Sequence, residues 1–215
     1  MILLDKWDPA KSIEDTPSMI YVVGGDGSLL RAVRLYADKK VPFFGVAAGT
    51  VNFLMNKENT ISLTHSIIPL TRIKVTAISE GIEYIAYAFN EVAIGSFCGW
   101  NHYILDDITD CMGACISICT PQGSTGLNKS SGGNILELDS KKWYLVGTQL
   151  NTTLSKELDT TTITGTIESR EPVILKVDGI DLLKARDFTI KIEKADTVNL
   201  IINSIDEFKE KRKRK

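Results

Sequence analysis

The sequence predicts an α+β protein in which an N-terminal α/β domain with a parallel sheet is followed by a mostly β domain. Two observations lead to this prediction. Between Ile20 and Pro69, apolar runs of strand length flank a segment of helical periodicity, which is typical of a parallel βαβ unit. After Pro69, segments rich in threonine, valine and isoleucine alternate with a period of two, which is typical of antiparallel strands.

The first region contains a strand, a helix and a second strand. The apolar run 20–23 is the first strand, and residues 28–38 form a helix on which Leu30 and Val33 recur at helical spacing. Pro42 stops this helix, and the strand 43–46 follows. A short helix is expected after Gly49, through residues 52–55.

The second region contains short strands separated by Gly-containing breaks. Alternation predicts strands at 72–78, 84–92, 114–119, 160–167 and 173–177, with one helix at about 125–132. A strand at 198–202 and a helix from Asp206 close the chain and return to the first layer. The expected domains are therefore residues 1–69 joined by 203–215, and residues 70–202.

Composition predicts an ordinary globular protein in a reducing compartment. Hydrophobic residues make up 43% and charged residues 24% of the 215-residue chain. The first eight residues do not resemble a signal peptide, and no apolar run approaches the roughly 20 residues of a membrane span. We therefore expect a cytoplasmic protein with reduced thiols and no membrane partner.

The three cysteines Cys111, Cys115 and Cys119 recur every four residues. On a helix they would share a face, but the segment 114–119 is predicted as a strand and zinc sites favour tighter pairs. With Cys98 they are therefore interpreted as buried residues, and no metal site is expected from them.

Basic residues are concentrated at the C terminus. Residues 209–215 hold six basic residues and one acidic residue, which leaves 19 basic and 26 acidic residues elsewhere. This acidic body is a poor partner for nucleic acid, and none is expected. The tail is interpreted as a solvated helix end, with a polyanion contact or a localisation signal as alternatives.

The tetrapeptide Gly-Gly-Asp-Gly at residues 24–27 joins the first strand to the first helix. Glycines reach backbone angles closed to other residues and let a phosphate approach the N–H groups at a helix start. An acid here would repel phosphate unless it takes a proton or holds a metal, so Asp26 is a candidate for either role. The alternative is an ordinary strand-to-helix turn.

Two further polar segments are candidates for substrate binding. Residues 119–128 (Cys-Thr-Pro-Gln-Gly-Ser-Thr-Gly-Leu-Asn) lead a strand into a helix start, which suits an anion or a ribose edge but equally suits simple capping. Asn90 and Glu91 end an alternating strand, and an amide beside a carboxylate is suited to two ribose hydroxyls. An ordinary polar pair leaving a strand is the alternative.

In this order and spacing, the motifs resemble the NAD kinase family. The matching stretches are residues 24–27, Gly-Thr-Val-Asn-Phe-Leu at 49–54, Asn-Glu at 90–91, Thr-Pro-Gln-Gly-Ser-Thr at 120–125, and the late Asp-Gly turn at 178–179. The resemblance covers nearly the whole chain from Tyr21. It implies a Rossmann-like α/β domain, smaller here than is usual in the family, paired with a β-sandwich-like domain. The active site is expected in the crevice between them.

The resemblance also implies an activity: transfer of a phosphoryl group to the 2′-hydroxyl of the adenosine ribose of NAD. The donor would be ATP, or polyphosphate in some members, with a divalent metal such as Mg²⁺. Asp26 would take the proton of that hydroxyl, while Gly25 and Gly27 let phosphate come close. The family is typically dimeric or tetrameric, so a homodimer or homotetramer is expected.

The residues that the resemblance assigns to nucleotide binding lie in three segments. Asn90 and Glu91 would hold substrate hydroxyls. The remaining residues would line the nucleotide site: Phe53, Thr125, Gly126, Leu127, Asn128 and Ser130.

Several departures from the family pattern surround the substrate rather than the base. Only 23 residues precede Gly24, and the turn at 45–49 lacks a polar residue that is frequent there. Ala114 replaces an acid, and Leu127 replaces an aromatic residue that packs on the dinucleotide, which forfeits about 0.5–1.5 kcal/mol of stacking. Altered affinity or specificity is therefore expected, rather than loss of the chemistry.

Two other functions stay open at this point. Lipid kinases of the diacylglycerol or sphingosine type resemble NAD kinases in the Gly-Gly-Asp-Gly corner, although the 120–128 motif and the lack of an amphipathic membrane helix argue against them. A catalytically silent NAD(P) sensor is suggested by the short N terminus and by Ala114, whereas Asp26 argues against it.

Overall fold

The computed structural model describes residues 17–50, 52–96 and 100–213, together with the backbone of residues 2–4. The chain forms two compact units. The first contains the described residues up to Leu70 and those from Thr197 onward, and the second spans Thr71–Asp196. The predictions for Val51 and Cys98 lie outside the described residues.

The first unit contains a parallel sheet, as predicted. Its strands are β1 (Ile2–Leu4), β2 (Ile20–Gly24), β3 (Phe43–Ala47) and the end of the long strand β14 (Phe188–Ile202). The pairings β1–β2, β2–β3 and β3–β14 are all parallel, with Phe43 opposite both Ile20 and Leu200. The βαβ unit of the first region is therefore confirmed.

Helix α1 (Asp26–Tyr36) connects β2 to β3. Its buried face consists of Leu29, Ala32, Val33 and Tyr36, which follow helical spacing, whereas Arg34 is exposed. The helix begins two residues earlier than predicted, because the carbonyl of Gly25 accepts hydrogen bonds from the N–H groups of Ser28 and Leu29. A 3₁₀ turn, Ala37–Lys39, extends it towards Pro42.

The short helix predicted at residues 52–55 is wrong. These residues form bends, and the chain turns back so that Asn56 pairs with β3: Ala47 N–H donates to Asn56 O and Asn56 N–H to Gly45 O, each at 2.8 Å. The Asn56 side chain is buried and donates to the carbonyls of Gly45 and Ile201 at 3.0 Å. Non-local bonds therefore replace helical ones here. The unit ends with helix α3 (Ile205–Lys213).

The second unit is almost entirely antiparallel β structure. Along the sheet, hydrogen-bonded neighbours run in the order β14-β11-β7-β8-β6-β12-β13. Outside this order, β9 pairs with β8 and β10 pairs with β9, while β4 pairs with β14 and β5 pairs with β4. The strands are β4 (Ser66–Ser79), β5 (Ile82–Ala88), β6 (Glu91–Gly95), β7 (Asn101–Leu105), β8 (Thr109–Cys119), β9 (Trp143–Leu150), β10 (Ser155–Leu158), β11 (Thr162–Ser169), β12 (Val173–Val177) and β13 (Ile180–Ala185).

The core of the second unit follows the predicted alternation of buried and solvent-facing residues. In β12, for example, Val173, Leu175 and Val177 are buried and the residues between them are only partly so. Trp143 and Tyr103 are the largest side chains of this core. The predicted fold class, an α/β domain followed by a mostly β domain, is confirmed.

Two predicted elements of the second unit differ from the structure. The single strand predicted at 84–92 is two strands, β5 and β6, because the chain turns at Phe89 and Asn90. The single helix predicted at 125–132 is a 3₁₀ turn, Gln122–Thr125, followed by the four-residue helix α2 (Leu127–Ser130). The two are separate because Gly126 adopts φ −92° and ψ −122°, which is not helical.

Among the described residues, no helix combines the length and apolar character that crossing a membrane requires.

Candidate active site

The corner between β2 and α1 is tightly packed at its first glycine. A Cβ atom added to Gly24 would lie 2.2 Å from Ser28 Oγ, and Gly24 has a positive φ of 155°. Glycine is therefore required here by the approach of the first turn of α1. Gly25 precedes the helix with extended backbone angles and offers no side-chain cap to the helix N terminus.

Gly27 differs from Gly24 because no described part of the protein requires a glycine there. A Cβ atom added to Gly27 would meet no atom of the described residues within 4 Å, and the residue is exposed in the first turn of α1. Among the described residues, no side chain caps the N terminus of this 11-residue helix, which carries a partial positive charge. Gly27 therefore leaves open space beside the helix N terminus.

Asp26 is held by the turn that was predicted as a helix. Its carboxylate accepts hydrogen bonds from Phe53 N–H to Oδ2 at 2.8 Å and from Leu54 N–H to Oδ1 at 2.9 Å. Each oxygen keeps a further lone pair. Burial raises the pKa of Asp26, although the two N–H groups and the charges of Lys211 and Arg212 act in the opposite direction. The result is an oriented carboxylate that is more basic than an exposed aspartate.

Gly49 precedes the turn whose N–H groups hold Asp26, and Phe53 is part of that turn. A Cβ atom added to Gly49 would lie 3.5 Å from Gly25 Cα, so this loop packs against the corner. Asn52 Nδ2 donates to Gly49 O, while Asn52 Oδ1 is buried and has no hydrogen-bond partner among the described residues. Phe53 is half-buried. The first unit thus brings together residues 24–27, 49–50 and 52–54.

A second group of predicted residues surrounds Asn90 and Glu91 in the other unit. The carboxylate of Asp178 accepts hydrogen bonds from three consecutive N–H groups: Phe89 at 2.8 Å, Asn90 at 2.8 Å and Glu91 at 3.1 Å. Asp178 N–H donates back to Glu91 O at 3.0 Å. The Asp-Gly turn at 178–179 therefore fixes the corner between β5 and β6.

At this corner Glu91 has a raised pKa and the side-chain oxygen of Asn90 lacks a hydrogen-bond donor among the described residues. Burial, and then the neighbouring carboxylate of Asp178, raise the pKa of Glu91 from 4.5 to about 7. Asn90 Oδ1 is buried, and within the described residues no donor bonds to it. A carboxyl group that is half protonated near neutral pH beside an unpaired amide oxygen suits hydroxyl groups that both donate and accept.

The Thr-Pro-Gln-Gly motif is built onto the same corner by buried hydrogen bonds. Thr120 Oγ1 donates to Phe89 O at 2.7 Å, and Gln122 Nε2 donates to the same oxygen at 2.7 Å. A Cβ atom added to Gly123 would lie 2.2 Å from Asn90 O. The buried side chains of this motif therefore support Asn90 and Glu91 instead of facing solvent.

The remaining predicted residues differ in exposure. Gly126, Leu127 and Ser130 are exposed, and Ser130 Oγ donates to Leu127 O at 2.9 Å. Thr125 is half-buried. Asn128 is fully buried, and its Nδ2 donates to Asn134 O at 2.7 Å, so its amide holds the loop after α2 together.

Comparison with known proteins relates the chain to one family. Residues 9–69 match the family of ATP-NAD kinase N-terminal domains. An NAD kinase of Rickettsia felis is 28% identical over 219 residues, which covers 89% of this chain and 82% of the relative. An NAD kinase of Rickettsia akari is 35% identical over 143 residues, or 60% of this chain and 54% of the relative.

These matches confirm the resemblance to the NAD kinase family.

Solved structures of NAD kinases share the fold. A yeast NADH kinase complexed with NADH matches with a TM-score of 0.78 and 16% identity, and the match covers 91% of this chain and 64% of the yeast chain. An NAD kinase from Archaeoglobus fulgidus in complex with ATP matches with a TM-score of 0.70 and 19% identity, over 91% and 82% of the two chains. At these identities the similarity shows the fold alone.

Sequence reasoning missed two sets of residues that the structure connects to the site. Asp178 was recognised only as part of a turn, but its carboxylate binds the backbone at Asn90. Lys211 and Arg212 were interpreted as part of a solvated tail, but their positive charges partly offset the rise in the pKa of Asp26. For Asp178, an acid in an Asp-Gly turn was the available signal. For the tail, no sequence signal distinguished these two cations from the others.

Proposed function

We propose that this chain is an NAD kinase, which transfers the γ-phosphoryl group of ATP to the 2′-hydroxyl of the adenosine ribose of NAD. The hydroxyl oxygen bonds to the γ-phosphorus, and the bond from that phosphorus to the β–γ bridging oxygen breaks. The products are NADP and ADP, and the proton of the hydroxyl passes to a base. The observation that carries the proposal is the oriented carboxylate of Asp26 at an open helix N terminus.

Asp26 is proposed as the base that takes this proton. Phosphoryl transfer depends mostly on positioning and charge neutralisation, so a carboxylate is basic enough. The hydrogen bonds from Phe53 and Leu54 N–H fix the direction of both oxygens, and each retains a lone pair for the proton. Burial raises the pKa of Asp26, which strengthens it as a proton acceptor.

Phosphate binding is proposed at the start of α1. The free N–H groups of the first helical turn bind anions, and the partial charge of the helix dipole favours them. Gly25 offers no side chain there, and the open space beside Gly27 leaves room for phosphate oxygens.

The corner at Asn90 and Glu91 is proposed to hold hydroxyl groups of the dinucleotide. The buried, unpaired oxygen of Asn90 is an acceptor for one hydroxyl. Glu91, with a pKa of about 7, either donates or accepts near neutral pH. Thr125, Gly126, Leu127 and Ser130 are proposed to line the same nucleotide site, and Phe53 to contact the nucleotide. Asn128 is proposed to act by holding this loop, since its amide is buried.

A divalent ion, with Mg²⁺ as the natural choice, is proposed to accompany ATP. Within the described part of the chain, no three His, Cys, Asp or Glu side chains are grouped as a metal cage. This fits an ion that arrives on the triphosphate, because Mg²⁺ is commonly held by substrate phosphates and water with few protein carboxylates. When bound, the ion neutralises phosphate charge during the transfer.

We further propose a cytoplasmic homodimer or homotetramer. Cys111 and Cys115 are free thiols, which fits a reducing compartment. Strand β5 pairs only with β4 among the described strands, and Ile82, Ile85 and Tyr87 on it are about half exposed. An edge strand with apolar side chains favours self-association. Light scattering at micromolar concentration tests this proposal, and a monomeric mass would reject it.

The activity is tested by incubating the purified protein with NAD, ATP and magnesium and measuring NADP with an NADP-specific dehydrogenase. Formation of NADP with matching ADP supports the proposal. NAD binding by calorimetry without turnover would replace it with an NAD(P) sensor. No NAD binding, with phosphorylation of diacylglycerol or sphingosine, would replace it with a lipid kinase, which the relatives reported above do not favour.

A further inference from the structure

The basic C-terminal helix divides its cations between two environments. On α3, Lys209 and Lys213 are exposed, whereas Arg212 is only 4% exposed. The side chain of Lys211 is 13% exposed. Burying a cation is unfavourable unless it is paired or hydrogen-bonded. These two side chains are therefore held in place by the protein, unlike the rest of the basic tail.

Lys211 binds the turn that holds Asp26. Its Nζ donates a hydrogen bond to Met55 O at 2.8 Å and forms an ion pair with Glu207 at 2.6 Å. Glu207 also pairs with Lys57 at 3.5 Å, on the chain that leaves the same turn. Helix α3 is thus joined to residues 55–57 by two polar contacts, from Lys211 to Met55 and from Glu207 to Lys57.

The opposite side of that turn faces the carboxylate of Asp26. Phe53 and Leu54 donate their N–H groups to Asp26, and the carbonyl of the following residue, Met55, accepts from Lys211. Three consecutive residues therefore link the ammonium group to the carboxylate. Met55 is fully buried, so the turn between them has little freedom to move.

We propose that Lys211 is a positioning residue for Asp26, and that helix α3 is a functional part of this site. The turn at 53–55 transmits the position of Lys211 to the carboxylate. The positive charges of Lys211 and Arg212 also favour its ionised form, which is the form that accepts a proton. Without them the carboxylate is protonated over a wider range of acidic pH.

Charge supports the geometry. Burial raises the pKa of Asp26, while the positive charges of Lys211 and Arg212 lower it in part. Lys211 also forms an ion pair with Glu207, whose charge is shared between Lys211 and Lys57. Removing the charge of Lys211 therefore raises the pKa of Asp26 further. The contacts of Lys211 also argue against the polyanion alternative for this residue, because its ammonium group is already engaged.

The test compares Lys211→Gln with Lys209→Gln, which makes the same change of charge at an exposed position two residues away. The titration of Asp26 is followed in the protein without substrate by the ¹³C shift of its carboxyl carbon, assigned with Asp26→Asn. We expect the midpoint to move to higher pH in Lys211→Gln and to stay at the parental value in Lys209→Gln. Equal midpoints in both variants would overturn the proposal.

A kinetic measurement adds a second readout and rests on the proposed function. In Lys211→Gln, kcat/KM at pH 5.5 falls by roughly threefold to tenfold and recovers towards the parental value at pH 8. A loss that is independent of pH would overturn the proposal in favour of a purely structural role. If the glutamine variant does not fold, Lys211→Met keeps the straight side chain and carries the same prediction.

The two readouts separate the two hypotheses. If the parent forms no NADP but the midpoint of Asp26 moves as expected, the proposed function fails and the positioning role stands. If the parent forms NADP and the midpoint does not move, the proposed function stands and the positioning role fails.

Discussion

Glu91 is expected to destabilise the folded protein at the pH at which it is proposed to work. Burial and the nearby Asp178 carboxylate raise its pKa from 4.5 to about 7. The folded state therefore binds a proton more tightly than the unfolded state. Stability that is present below pH 4.5 is lost as the pH rises to about 7, and the loss amounts to about 3 kcal/mol.

The variant Glu91→Gln removes this pH dependence and keeps the shape of the side chain. At pH 8 its free energy of unfolding is expected to exceed that of the parent by up to about 3 kcal/mol, with little difference near pH 4.5. Urea denaturation at both pH values measures the effect. Glu83→Gln, at an exposed position on β5 where no ion pair is described, is the matched control and leaves the pH dependence unchanged.

Two results would refute this reasoning. Parallel stability curves for the parent and Glu91→Gln would show that Glu91 has an ordinary pKa in the folded protein. A variant that is less stable than the parent at pH 8 would show that the carboxylate makes a favourable contact. If the prediction holds and the variant also binds NAD more weakly, the unfavourable carboxylate is retained for its function.

Two further predictions concern residues whose surroundings differ sharply. Gly27→Ala keeps or raises the melting temperature, because the added Cβ meets no atom of the described residues and alanine favours a helix over glycine by about 1 kcal/mol. The same variant raises KM for ATP by roughly tenfold, because the methyl group occupies space proposed for phosphate. Parental ATP kinetics would contradict phosphate binding there. Asp178→Ala lowers the free energy of unfolding by about 3 kcal/mol and accelerates amide exchange at Phe89, Asn90 and Glu91, because three N–H groups lose a charged acceptor. Asp181→Ala, at an exposed site on β13, is its control, and equal exchange rates in the two variants would count against the clamp.

Local sequence patterns predicted the elements that local forces decide. The glycine corner and the spacing of apolar residues located β2, α1 and β3, since a strand-to-helix turn and an amphipathic face depend on neighbouring residues. Alternation located β12 to the residue. The same reasoning identified Asp26 as a candidate because an acid is unexpected in a glycine corner, and Asn90 because an amide beside a carboxylate suits hydroxyl groups.

Elements controlled by distant partners were not predictable in this way. A helix was expected at residues 52–55, but the N–H groups of Phe53 and Leu54 donate to the carboxylate of Asp26 instead of to the carbonyls of a helix. The alternation of residues 84–92 continues through a turn that Asp178 imposes from 87–89 residues away. Lys211 and Arg212 look like their neighbours in a basic run, and only the burial of both and the bond from Lys211 to Met55 O distinguish them. Each of these differences comes from a charged group whose partner is remote in sequence.

The central claim is most directly tested by measuring NADP formation by Asp26→Asn beside the parent, at matched NAD binding. Asparagine keeps one carbonyl oxygen for the N–H groups of Phe53 and Leu54 but is no base, so kcat is expected to fall by about a hundredfold or more. Asp38→Asn, an exposed change just beyond α1, should retain parental activity. A folded Asp26→Asn variant that forms NADP at the parental rate would contradict the account.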